Sequence, residues 1–80
     1  LSHPEYADKA IQEALFDFGK QDSQASRLAQ QLKYNNVHTL GQLSRFTAAE
    51  ILRMPNLGQK SIRLAYDLLR HYGFDPKWKL

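Results

Sequence analysis

Cysteine is absent from the 80 residues, so neither a disulfide nor a thiolate zinc site is available and helix packing must hold the fold alone. The redox compartment stays open, and a reducing cytoplasm fits. No apolar run approaches the roughly 18 residues of a membrane span. No basic segment followed by an apolar stretch opens the sequence, so no secretory signal is expected. Leu1 in place of an initiator methionine points to a processed start or a longer parent. No segment alternates with period two for long enough to predict a strand. His3, His38 and His71 share no metal-site spacing with Asp or Glu, and there is neither a nucleophile elbow nor a glycine-rich nucleotide loop. No catalytic constellation, metal site or cofactor is therefore expected.

What the sequence does contain is an ordinary globular composition, 42% apolar and 24% charged, with an uneven charge distribution. Residues 1–22 carry five acids, Glu5, Asp8, Glu13, Asp17 and Asp22, against Lys9 and Lys20, a net −3. Residues 23–80 carry nine Lys and Arg against Glu50, Asp67 and Asp75, a net +6. A basic body of this kind attracts polyanions such as nucleic acid or an acidic protein, whereas the acidic leader does not. Eighty residues suffice for one domain with one modest core.

Apolar positions predict an all-α fold. Ala7, Ala10, Ile11, Ala14, Leu15 and Phe18 share one helical face. A helix is predicted over Pro4–Phe18, with Pro4 in its first turn and Gly19 at its end. Its stripe must cover the rest of the domain or a partner. Asp22 or Ser23 is placed to cap a second helix over Gln24–Tyr34 that buries Leu28 and Leu32, and Asn35–Asn36 breaks it. Thr39 begins a short helix through Leu40 and Leu43 to about Arg45. Thr47–Ala48–Ala49–Glu50 has capping-box spacing and opens another over Ala48–Met54. A last helix over Gln59–Tyr72 is expected to bury Ile62, Ala65, Tyr66, Leu69 and Tyr72, with Gly73 and Phe74 as a Schellman ending.

The turn between those last two helices carries chemistry. In Pro55–Asn56–Leu57–Gly58, Pro55 cannot continue a helix as a donor, and Asn56 and Gly58 tolerate unusual backbone angles. Leu57 is expected to point inward, while Gly58 lets a phosphate approach the backbone. The following helix offers free amides and its positive dipole end, to which Lys60 adds a charge and Ser61 a hydroxyl. Such a turn is also a common helix connector, and the Lys–Ser pair beside the free amides is what favours the anion reading.

From about Gln24 to Phe74 the sequence resembles the C-terminal domain of the bacterial RNA polymerase alpha subunit, a compact bundle built from helix-hairpin-helix elements. The likeness is carried by residues 36–43, NVHTLGQL, and more specifically by residues 50–61, EILRMPNLGQKS. The resemblance implies a compact, SAM-like bundle of four to five short helices, preceded here by the amphipathic helix, with residues 1–22 as helix and connector and 23–80 as the DNA-binding domain. It implies a bacterial, cytoplasmic, nucleoid-associated protein with no membrane role. Double-stranded, A·T-rich promoter DNA would be bound by Arg27 in the minor groove, where a narrow groove concentrates negative potential. Gln30 stands where the family usually has asparagine, and Asn56, Gly58, Gln59, Lys60 and Ser61 would meet adjacent backbone.

Polymerase subunits, sigma factor and activators are the implied protein partners. Thr47, Ala49 and Glu50 match the activator-facing surface, although the helix cap already explains Thr47 and Glu50. Gln21 and Ser23 fall where the family uses acids toward sigma factor, with Asp22 the available substitute, and Leu64 occupies a position that is acidic in well-known members. The leader departs most, because the family has a flexible tether there. A packed helix or a homodimer through it would each cover its stripe. Trp78, Tyr72 and Phe74 cluster near the end, packing being the simpler role and base stacking the rarer one. Two other readings are compatible with the residues. One is a protein-interaction module of a regulator or phage protein that kept the fold without DNA binding; the other is a DNA-binding accessory domain of a repair enzyme.

Overall fold

The computed structural model describes residues 4–19 and 22–78; His3 and Gln21 lie outside the described residues. Among the described residues six helices follow in order: α1 Pro4–Ala7, α2 Ile11–Asp17, α3 Ser23–Tyr34, α4 Leu40–Ser44, α5 Ala48–Leu52 and α6 Gln59–His71. They enclose one apolar core in which Leu28, Leu32, Leu40, Leu43, Ile51, Ile62, Leu68 and Leu69 are all but fully buried. Among the described residues no helix is long and apolar enough to cross a membrane.

Local sequence explains most boundaries. Asp22 accepts the Ala25 amide at 2.9 Å and caps α3. Thr39 with Gln42 and Thr47 with Glu50 both form reciprocal capping boxes, for α4 and α5. Asn36 takes φ +61°, and the Val37 amide returns to the Leu32 carbonyl at 2.8 Å, turning the backbone out of α3. Gly73, at φ +85°, plays the same part after α6, where Phe74 N–H reaches the Leu69 carbonyl and Gly73 N–H that of Arg70. Both are Schellman endings whose next apolar residue, Val37 or Phe74, is buried.

The leader is not the single helix predicted over Pro4–Phe18. It breaks at residues 8–10, where Ala10 is extended and forms an antiparallel bridge with Thr39. Ile11 N–H donates to the His38 carbonyl and Leu40 N–H to the Lys9 carbonyl, each at 3.0 Å. Tertiary pairing overrides a good local helix propensity here. The stripe nevertheless covers what it must, since Ile11, Ala14 and Leu15 join the common core. On α6, Leu64 and Leu68 are buried in addition to the expected set, and Tyr66 is half-buried and packs at the core edge.

Two further contacts fix the ends. Gly41 brings α4 so close to α1 that a Cβ there would lie 2.8 Å from the Ala7 carbonyl oxygen. At the other end, Trp78 is buried and its indole donates to the Phe46 carbonyl at 2.8 Å.

Lys9 bridges Asp17 at 2.9 Å and Glu13 at 3.4 Å, and stands 5.7 Å from the Tyr72 ring centre. The Asp17 bond foremost raises the Lys9 pKa, against desolvation. Burial raises that of Tyr72, against the neighbouring Lys9 charge. Both groups hold their protons more tightly when folded, so their contribution is complete below the unfolded values and is lost as pH rises from there through the higher folded ones. Denaturation midpoints are therefore expected to fall from about pH 10 upward, and Tyr72→Phe to flatten that fall.

Candidate nucleic-acid interface

Helices α5 and α6 flank the turn at residues 53–58 and form the helix-hairpin-helix unit. Met54 and Leu57 are buried and pin the turn to the core. Asn56 supplies the left-handed corner at φ +64°. Gly58, by contrast, is extended at φ −133°, an angle open to any residue, and a Cβ built on it would meet nothing within 4 Å. The expectation of unusual backbone angles is thus met by Asn56 and not by Gly58. Neither backbone nor internal packing demands glycine at 58.

Gly58 is the N-cap of α6 and brings no side-chain acceptor. Helices α3, α4 and α5 are each capped by a side chain, so α6 alone of the four helices after the leader presents its opening amides, those of Gln59, Lys60 and Ser61, without one. The 13-residue α6 aligns enough peptide dipoles to place a partial positive charge there.

An open cleft of about 430 Å³ lies over these amides, lined by Ser23, Gln24 and Arg27 of α3 and by Asn56, Gly58, Gln59, Lys60 and Ser61. Packing of α3 on α6 brings the two groups together. Among the described residues the lining holds two cations and no carboxylate. Arg27 and Lys60 have no ion-pair partner among the described residues, whereas Lys9, Arg63 and Arg70 are each paired. Ser61 is only 5% exposed and forms part of the floor.

Of the residues singled out from sequence, Arg27, Asn56, Gly58, Gln59, Lys60 and Ser61 share this cleft. Gln30 lies outside its lining, exposed one helical turn along α3. Ser23 and Gln24 line it although the sequence does not mark them as contacts; their position one turn before Arg27 is the available signal. Leu64 is 9% exposed and borders the adjoining cleft with Asp22, Gln24, Lys60, Arg63 and Asp67. Thr47 and Glu50 are exposed and engaged in their cap, with Ala49 exposed between them. Asp22, the substitute acid near Ser23, is likewise committed to its cap. Among the described residues no group of three or more His, Asp or Glu is arranged to hold a metal ion.

Fold and cleft together define a compact all-helical domain whose hairpin offers bare amides beside two unneutralised cations. Residues 25–70 match the family described as the C-terminal domain of the bacterial RNA polymerase alpha chain. The protein belongs to that family, one of non-catalytic, transcription-related DNA-binding domains. No curated protein and no solved structure matches the sequence.

Proposed function

We propose that this cleft is the face by which the domain grips double-stranded DNA at A·T-rich promoter sequence, Arg27 entering the minor groove while the hairpin holds an adjacent phosphate. The amides of Gln59, Lys60 and Ser61 and the Lys60 ammonium supply the phosphate contacts. Asn56 and Gln30 flank them, one at the turn and one farther along α3. The observation that carries this reading is the convergence of Arg27 and the uncapped start of α6 on one carboxylate-free cleft. Gly58 supports it, because its missing side chain has no internal reason, and a closely approaching backbone phosphate provides an external one.

In this role the domain anchors a larger bacterial transcription assembly on the nucleoid, in the cytoplasm. Polymerase subunits and sigma factor are its proposed neighbours, and the Thr47–Ala49–Glu50 face the place for an activator. A parent protein that carries this module supplies any catalysis. The leader's apolar stripe offers little to a homodimer or to a rival partner-binding role, since Ile11, Ala14 and Leu15 are already buried.

Contacts to phosphate displace condensed counterions, so affinity for a duplex should fall steeply with salt. With two or three phosphates neutralised, log K against log salt has a slope of about −2 to −3. Lys60→Ala should weaken binding to all sequences alike and reduce that slope by about 1. An unaltered slope would remove Lys60 from the interface and with it the proposed phosphate site.

A further inference from the structure

The exposed side of α3 does not end at Arg27. Residues 27, 30 and 34 follow one another at helical spacings of three and four and share a face. The last of them, Tyr34, is 72% exposed, the highest value among the large apolar side chains of the described residues. An aromatic ring so open at the end of a helix has no packing role. The stretch of sequence around it is short of negative charge. From Ser23 to Ala49 the sequence has no acidic residue, and Lys33, Asn35 and Asn36 are the polar residues within two positions of Tyr34.

Position along the helix gives this residue a specific relation to a duplex. The hairpin amides meet α3 at its N-terminal end, beside Ser23, Gln24 and Arg27. If the hairpin holds a phosphate of one strand and Arg27 lies in the groove, the line from hairpin to Arg27 runs from that backbone into the groove. With α3 laid across the groove on that line, the seven residues from Arg27 to Tyr34, about 10 Å at 1.5 Å per residue, reach past a minor groove roughly 6 Å wide. That distance ends over the backbone of the opposite strand.

We infer that Tyr34 is a further DNA contact, its phenol hydroxyl donating to a phosphate oxygen of the strand across the groove from the one held by the hairpin. The inference rests on the DNA-binding reading of the cleft. Tyrosine is suited to the task because its hydroxyl is a phosphate donor and its ring is stiff. The hairpin and Tyr34 then clamp the two walls of the groove on either side of Arg27. A longer footprint than the cleft alone can cover follows from this arrangement.

The test uses the whole protein labelled with 3-fluorotyrosine and titrated with an A·T-rich duplex, the backbone amides of Arg27 and Gly58 being followed in the same samples. Tyr34→Phe assigns the Tyr34 fluorine signal among those of the four tyrosines. Because the residue is exposed, that substitution leaves the fold intact. The Tyr34 signal is expected to move with the same concentration dependence as the Arg27 and Gly58 amides, and Tyr34→Phe to raise Kd about three- to tenfold. A Tyr34 signal that stays still while the cleft amides move, or a phenylalanine variant that binds as the parent does, overturns this contact and spares the cleft. Silence at both places overturns the DNA reading itself, and the Tyr34 contact with it.

Discussion

Replacing Arg27 with alanine is expected to cut affinity for an A·T-rich duplex by about 10- to 100-fold, roughly 1–3 kcal/mol, with no change in folding stability. Arg27 is exposed on α3 and has no ion-pair partner among the described residues, so its loss leaves no buried group unsatisfied. Its guanidinium faces the cleft beside the bare start of α6, where an inserted cation profits from the focused potential of a narrow groove. A Lys replacement keeps the charge but is more strongly hydrated and lacks the planar fork, so Arg27→Lys should recover only part of the loss. Discrimination between A·T-rich and G·C-rich duplexes should shrink in parallel, since groove width is what the guanidinium reads. Fluorescence anisotropy on both duplexes, with melting curves on the same preparations, checks the result.

Gly41→Ala is expected to destabilise the domain by about 1–3 kcal/mol while leaving DNA affinity within about twofold. Alanine is the better helix former by about 1 kcal/mol, so propensity alone argues for the opposite sign. Packing wins because the added Cβ would sit 2.8 Å from a backbone oxygen of Ala7 and 3.1 Å from its Cβ, and a backbone cannot swing aside as a side-chain tip can. The strain is relieved by lifting α1 away from α4. Protection from amide exchange at Leu40 and Ile11, whose N–H groups donate to Lys9 and His38, should then fall more than protection in α6. Unchanged melting and exchange would show that the leader is not packed as described.

These two substitutions mark the boundary of what the sequence makes legible. The hairpin and its contact set are written in local chemistry: a proline that cannot donate, an asparagine that tolerates a left-handed corner, an apolar anchor, then Lys–Ser at a helix start. The caps at Asp22, Thr47 and Gly73 are local as well, and so their helices begin and end close to where spacing places them. The break in the leader is not local. Nothing in Asp8–Lys9–Ala10 disfavours a helix, and the bond partners that interrupt it, His38 and Leu40, lie about 30 residues away. Gly41 likewise reads in sequence as a mild helix weakener, and its purpose is visible only once α1 lies against it. Leu64 and Leu68 fall outside the expected stripe because α6 buries a wider arc, being packed by α3 on one side and α5 on the other. Gln30 fits the helical register of Arg27 yet lies outside the cleft, because the cleft opens toward the N-terminal end of α3.

The Tyr34 contact and the salt dependence both require duplex DNA where α3 and α6 converge. The most direct measurement is a chemical-shift titration of the isotopically labelled domain with a short A·T-rich duplex at low salt. Saturable shifts centred on Ser23, Gln24, Arg27, Asn56 and Gly58–Ser61 are the expected result, while the buried leader residues Ile11, Ala14 and Leu15 stay in place. Shifts confined to other surfaces, or none at duplex concentrations that saturate a weak site, would contradict it.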